Sequence, residues 1–336
     1  LPVAFAMMQE ILVRSKLDDE KRLKEILAMT KSRLQMQFQA AGHTTAALRA
    51  LSYFSPLSKL KDMTAGIEYF EVIQRLEENF EEEKAALIAN LQKLAQLVFR
   101  ADNMMISYTA AREGLEGLEE QIGELRKNLF TEEVSPVPCI IHCKKRNEGF
   151  KTSSKVQYVA RVGNFIDEGK EYTGALQILK VILSYDYLWQ NVRVKGGAYG
   201  CMSNFSKVGE GYFVSYRDPH LERTNEVYEG VTEYLRNFSA TKRDMAKYII
   251  GTISNMDQPL SPAAKGGRSM SLYMNHVSED MIYKERQEVL DATVKDIRAL
   301  AEIVEAVLKE NYFCVIGSEE KIEEQKELFM EVRSIF

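Results

Sequence analysis

Three observations on the residue pattern predict an α+β protein. Apolar residues recur at helical spacing through positions 1 to 130. Thr131 to Gly149 then interrupts that periodicity with Pro136, Pro138 and the basic cluster Lys144-Lys145-Arg146. From residue 153 the order changes to strand, helix, hairpin, helix. The expected organisation is therefore a helix-rich partial domain over 1–130, a linker over 131–152, and an α/β sandwich domain with a mixed antiparallel sheet over 153–336.

Each element has a local reason. Asp18 or Asp19 caps a helix that Gly42 closes, with Leu23, Ile26, Leu27, Leu34 and Phe38 on its inner side. Steps of three, four or seven join Ile73, Leu76, Phe80, Leu87, Leu91, Leu94 and Val98, and a similar set runs from Leu115 to Leu129. Between them MMISYTA (104–110) is β-prone, and PCIIHCK in the linker is extended. VQYVARV (156–162) suits a buried strand and 172–189 an apolar helix. Two short β-prone runs, Ala198–Ser206 and Gly211–Arg217, flank KVGE as a hairpin. Asp218-Pro219, Thr241 with Asp244, and Ser261-Pro262 each mark a helix start. A long amphipathic helix over 291–310, the strand NYFCVIG and a charged closing helix complete the pattern, with helices on one face of the sheet.

Composition narrows the function. With 336 residues, 45% apolar, and a net charge of −5, the chain can bury a substantial core and offers no polycationic surface. Neither a nucleic-acid nor a membrane partner is expected. No apolar run approaches the roughly 18 residues a membrane span needs. Four scattered cysteines (Cys139, Cys143, Cys201, Cys314) suit a reducing compartment. The opening LPVAFAMMQE reads as the middle of a core element, so a fragment of a longer protein is expected.

Metal and nucleophile motifs are weak. His276-Val-Ser-Glu279-Asp280 has Asp where a second imidazole would complete a zinc-binding helix, and one imidazole alone does not grip zinc. In an extended Pro138-Cys139-Ile-Ile-His142-Cys143 segment the histidine points away from the cysteines. Lys265-Gly266-Gly267-Arg268 lacks the strand and spacing of a phosphate loop, and a helical kink or turn accounts for it better.

The least ordinary stretch is Asn191-Val192-Arg193-Val194-Lys195-Gly196-Gly197-Ala198-Tyr199-Gly200. A plain glycine turn between helix and strand accounts for the spacing. So does a site in which Arg193, a permanent cation with a rigid donor fork, and Tyr199, a neutral O–H donor, polarise a peptide carbonyl. Gly196 and Gly197 would let a substrate backbone come close.

Arg193, the GGAYG block and the downstream GEGYFVSYRDPHLERTNEVYEG resemble the C-terminal domain of the pitrilysin and insulin-degrading zinc metallopeptidases, most closely the presequence-protease branch. LSPAAKGGRSMSLYM, RQEVLDATVKDI, NYFCVIGSEEKI and the upstream HTTAALRALSYFSPLSKLKDMTAGIEYFEVI fit the same order. The resemblance implies four related metallopeptidase LuxS/MPP-like α+β domains, in two halves that close around a chamber. Zinc would sit on an HxxEH helix in the N-terminal half, outside this chain, with its Glu as general base. Arg193 would bind a carbonyl beside the scissile bond of a short unstructured peptide, and Tyr199 would support the oxyanion. The chain alone, partnered by the N-terminal half of the same protein, is then expected to be inactive. The alternative is a non-catalytic partner or core subunit that binds peptides or assembles with an active one. The cytoplasm, or a mitochondrial or plastid matrix, is the expected compartment.

Overall fold

The computed structural model describes every residue except Pro136 and Phe336. Pro136, part of the expected linker, therefore lies outside the described residues. The amphipathic spacing of the early chain produces α1 (Pro2–Arg14), α2 (Glu20–Ala40), α3 (Gly42–Leu51), α4 (Pro56–Ala65), α5 (Ile67–Glu78), α6 (Phe80–Val98) and α7 (Leu118–Asn128). Next come β1 (Glu148–Thr152), β2 (Tyr158–Asn164), α8 (Ala175–Tyr185) and the hairpin β3 (Gly200–Phe205) and β4 (Glu210–Tyr216). Helices α9 (Glu222–Arg236), α10 (Lys242–Met256), α11 (Pro262–Met274), α12 (Glu279–Leu290), α13 (Val294–Ala299) and α14 (Ala301–Lys309) follow. The chain closes with β5 (Tyr312–Ser318), α15 (Glu319–Glu324) and β6 (Glu331–Ser334).

These elements form two compact units that interleave along the sequence. One comprises Leu1–Ser32, Glu71–Ile140 and Pro259–Ser278; the other comprises Arg33–Phe70, Ile141–Gln258 and Glu279–Phe336. The first is helical, and one of its cores is Phe5, Leu125 and Leu129 packed with Leu12, Val13, Phe99 and Ile122. Lys31 joins its helices by bonding Glu77 at 3.0 Å and Glu78 at 3.4 Å. The β-prone 104–110 segment forms no strand. It lies instead against α11, where a Cβ on Gly266 would come within 1.8 Å of Thr109 Oγ1. That contact explains Gly266, but not Gly267, in Lys265-Gly266-Gly267-Arg268, which runs through an unbroken helix without the expected kink or turn.

The second unit is built on a mixed sheet with strand order β3-β4-β2-β5-β1-β6. The β3-β4, β2-β4 and β2-β5 pairs are antiparallel, while β1 runs parallel to both β5 and β6. One face of the sheet carries the main core, in which Val159, Phe213, Phe313 and Val315 meet Leu179, Ile182, Tyr228, Val304 and Val307. Gly163 and Gly211 are partners across β2 and β4. A Cβ on Gly163 would lie 2.0 Å from the Val307 carbonyl oxygen, and one on Gly211 2.6 Å from Val307 Cγ2. The paired glycines thus let α14 settle onto the sheet.

The opposite face is also covered, by α3 and its neighbours, so helices flank both faces and not one. Gly42 opens α3 and does not close the helix before it; its missing Cβ makes room for the Tyr158 ring, 2.2 Å from the ideal position. Between these layers lies a buried ion cluster. Arg49, 1% exposed, donates through Nε and Nη2 to Glu148 at 2.5 and 2.9 Å, and through Nη1 to Asp62 at 2.5 Å. Tyr53 Oη and Arg333 Nη2 each add a bond to Glu148 at 3.0 Å.

The two carboxylates respond in opposite directions. Burial pushes both upward. At Glu148 the doubly bonded Arg49 and the neighbouring Arg333 outweigh it and hold the group below its ordinary value. At Asp62 burial prevails over one Arg49 bond and the Ile67 N–H, so its carboxyl stays raised. The number of donors decides between them.

Two further expectations change. Residues 291–310 do not form one helix; the chain divides at the buried Leu300, and Thr293 with Asp296 caps α13 reciprocally. The strands β1 and β6 lie where linker and helix were expected, the first inside 131–152 and the second after a closing helix of only six residues. No helix among the described residues is long and apolar enough to cross a membrane.

Candidate functional site

The apolar helix α8 ends at Tyr185, Asp186 leaves the helical conformation, and a π-helical turn then spans Trp189–Val194, with Val192 buried. Lys195 N–H reaches back five residues to the Gln190 carbonyl at 3.0 Å, a wide-ring geometry often found where a helix is re-aimed. Two bonds then lock the reversal: Gly197 N–H to Arg193 O at 2.8 Å and Ala198 N–H to Val192 O at 3.1 Å. The glycines have different duties. Gly196 is buried, and a Cβ there would lie 2.4 Å from the Val192 carbonyl oxygen. Gly197 adopts φ +81°, open to glycine and strained for other residues. Both requirements arise inside the turn itself, without any ligand.

The turn delivers Arg193 and Tyr199 to one surface. Arg193 Nη1 donates to the Tyr199 carbonyl at 2.7 Å, and its guanidinium lies 4.2 Å from the Trp189 ring centroid. Tyr199 is 66% exposed, and its N–H is tied to the Tyr216 carbonyl at 3.0 Å, which continues the β3–β4 pairing. The remaining Arg193 N–H groups and the Tyr199 hydroxyl have no partner among the described residues. This pair can present two hydrogen-bond donors, one permanently cationic, to a carbonyl or an anion.

Further cations border the turn. Arg217, held at φ +48°, lies 5.9 Å from the Tyr199 ring and 5.7 Å from the Tyr216 ring. Arg223 Nη2 donates to the Lys195 carbonyl at 3.3 Å, and its Nη1 stands 3.4 Å from His220 Nε2. Asp218 organises this margin. It is buried, and its carboxylate accepts His220 N–H at 2.9 Å and Thr224 Oγ1–H at 2.7 Å. It therefore does not cap α9, which begins three residues later than Asp218-Pro219 predicts, after Leu221. Burial pushes the Asp218 carboxyl up, opposed by those donated bonds.

Trp189 and Arg217 were missed as site residues. Trp189 is the chain's single tryptophan and stands four residues before Arg193, the spacing that stacks side chains on a helix. Arg217 carries no signal in one sequence, because its approach depends on strand pairing.

Among the described residues no three His, Cys, Asp or Glu side chains converge as metal ligands. His276 sits in the turn after α11 at φ +51°.

This sheet and its flanking helices have the fold of M16 peptidase domains. The fold is similar to the peptidase M16 inactive domain from Pseudomonas fluorescens, with TM-score 0.55 and 14% identity over 94% of this chain and 74% of that one. Pitrilysin is also similar, with TM-score 0.56 and 13% identity over 93% of this chain and 32% of that one. The sequence is more specific. The PreP C-terminal domain family matches residues 147–319, and the family of domains associated with M16 peptidases of subfamily C matches 1–76. The chain belongs to the presequence-protease family of M16 peptidases. Protein HypA of Clostridium perfringens is 38% identical over 99% of this chain and 34% of its own length. Presequence protease 1, chloroplastic/mitochondrial, of Arabidopsis thaliana is 27% identical over 98% of this chain and 31% of its own. The chain thus spans about a third of the length of these curated relatives.

Proposed function

We propose that this chain supplies the substrate-facing, C-terminal part of a zinc metalloendopeptidase that degrades short unstructured peptides. One observation carries the reading. Arg193 is clamped between the Trp189 ring and the Tyr199 carbonyl, while the donors it has left and the Tyr199 hydroxyl meet nothing of the protein's own among the described residues. An oriented pair of donors on an exposed turn is the arrangement that stabilises charge developing on a peptide carbonyl. Arg193 binds a carbonyl beside the scissile bond, and Tyr199 donates to the oxyanion. Zinc and the general base come from the N-terminal part of the intact protein, in the cytoplasm or an organelle matrix. The chain by itself binds peptide without cleaving it.

The test uses the intact protein and a quenched fluorescent unstructured peptide. Tyr199→Phe should lower kcat by about 100-fold or more, the usual effect of removing one oxyanion donor, and an unchanged rate would count against the reading. An intact protein without hydrolytic activity, in which Arg193→Ala still weakens peptide binding, would favour a non-catalytic peptide-binding subunit.

A further inference from the structure

At the end of α8, immediately before the π-helical turn, the second unit contains a cavity of about 540 Å³. Asp186, Tyr187, Glu233, Tyr234 and Phe238 line it, with Gly230 between the two tyrosines. Tyr187 and Tyr234 form its aromatic wall, backed by Phe238 and Tyr248. Tyr187 and Tyr234 have centroids 4.7 Å apart, Tyr234 and Phe238 6.0 Å, and Phe238 and Tyr248 6.4 Å. Gly230 makes the wall possible, because a Cβ there would meet Tyr187 Oη at 2.3 Å. With that space clear, Tyr187 Oη crosses α9 and donates to the Val227 carbonyl at 3.0 Å.

The wall borders two carboxylates, Asp186 and Glu233. Tyr234 Oη donates to Asp186 Oδ2 at 3.0 Å, and Glu233 accepts from Asn237. Asp186 and Glu233 have no salt-bridge partner among the described residues. Three cations on the surrounding elements have partners of their own. Arg298 Nε donates to the Phe238 carbonyl at 2.7 Å, Arg236 pairs with Glu305 at 2.6 Å, and Lys247 pairs with Asp244 at 2.9 Å. Aromatic faces beside unpaired carboxylates attract a weakly hydrated organic cation, and a guanidinium both stacks on rings and bonds carboxylates.

From this we infer that the Asp186–Tyr234 cavity binds a guanidinium group, the side chain of an arginine in a bound peptide. Its Asp186 and Tyr187 lie within one or two helical turns of the candidate site along the chain: Gln190 N–H bonds the Asp186 carbonyl at 2.9 Å, and the Asn191 side-chain Nδ2 bonds the Tyr187 carbonyl at 2.8 Å. A peptide held at Arg193 would thus be selected by a basic side chain placed in this cavity. The identity of the natural ligand as a peptide rests on the proposed function; the cavity's preference for a cation does not.

The experiment titrates the 336-residue chain with Nα-acetyl-arginine amide and, as a neutral isostere, Nα-acetyl-citrulline amide, followed by tyrosine fluorescence. Saturable binding of the arginine compound and none of the citrulline compound is expected. Asp186→Asn should weaken arginine binding about tenfold, the scale of one lost charge contact beside aromatic rings. If that variant fails to fold, Glu233→Gln, at an exposed position, supplies the same test with a smaller loss. Equal binding of both compounds, or no saturable binding, overturns the inference. Arg193→Ala should leave arginine-amide binding intact, so failure of the catalytic reading and failure of this one give different results.

Discussion

Replacing Arg49 by Met retains most of the side-chain length and removes the charge at the centre of a cluster whose two principal acids, Glu148 and Asp62, are both 0% exposed. Taking one partner from a buried ion pair costs about 3–5 kcal/mol. Two features of the cluster set the expectation near the lower end. Glu148 keeps Arg333 at 3.0 Å, a partner whose side chain is 28% exposed. Asp62, already raised by burial, can take up a proton and cease to be an uncompensated charge. About 3 kcal/mol corresponds to a fall in Tm of about 6–12 °C for a unit of this size. Urea titration with a parallel thermal melt measures it. Arg49→Met combined with Asp62→Asn and Glu148→Gln should recover part of the loss, because no fully buried charge remains. A loss below about 1 kcal/mol, or a triple variant less stable than the single one, would show that the cluster does not work as a neutralised unit. The pH dependence has a definite sign. Glu148, lowered in the folded state, stabilises above the ordinary glutamate value and loses that contribution as pH falls through its folded value. Glu148→Gln should therefore flatten the acid limb of the stability curve. Asp62, raised, acts oppositely, and its cost disappears on acidification.

Gly163→Ala forces a methyl to within 2.0 Å of the Val307 carbonyl oxygen, and a chemical melt should show about 3 kcal/mol lost as α14 lifts from the sheet. Gly197→Ala meets no atom closer than 3.6 Å, so its cost is the left-handed φ, about 1 kcal/mol in the same assay. Gly196→Ala, facing the Val192 carbonyl at 2.4 Å, should be the more damaging of the two. Tyr228→Phe removes a buried hydroxyl that donates to the Val159 carbonyl at 3.1 Å, with about 1–2 kcal/mol expected by urea titration.

Much of the helical content was readable from periodicity. The apolar spacing in 73–98 appears as α5 and α6, and Ser261-Pro262 starts α11 with Ser261 accepting the Ala264 N–H. The KVGE hairpin is present as β3 and β4. Glycine was the residue most often misread. Gly42 and Gly266 look like a stop and a kink, yet each is small because a distant side chain, Tyr158 or Thr109, occupies the space of its Cβ. Gly196 and Gly197 also meet a demand of the turn's own geometry, beside the room they would leave a substrate backbone.

The chain order alone determined that most of the helices and the hairpin arise, and that Arg193 and Tyr199 share one glycine turn, since turns and helical periods join residues only a few positions apart. The folded arrangement determined the rest. Glu148 meets Arg49 from 99 positions away, β6 joins β1 at the sheet's edge, and Asp186 meets Tyr234 from 48 positions away on a different helix. Such pairings follow from which layers bury one another's apolar faces, and no local period encodes that choice.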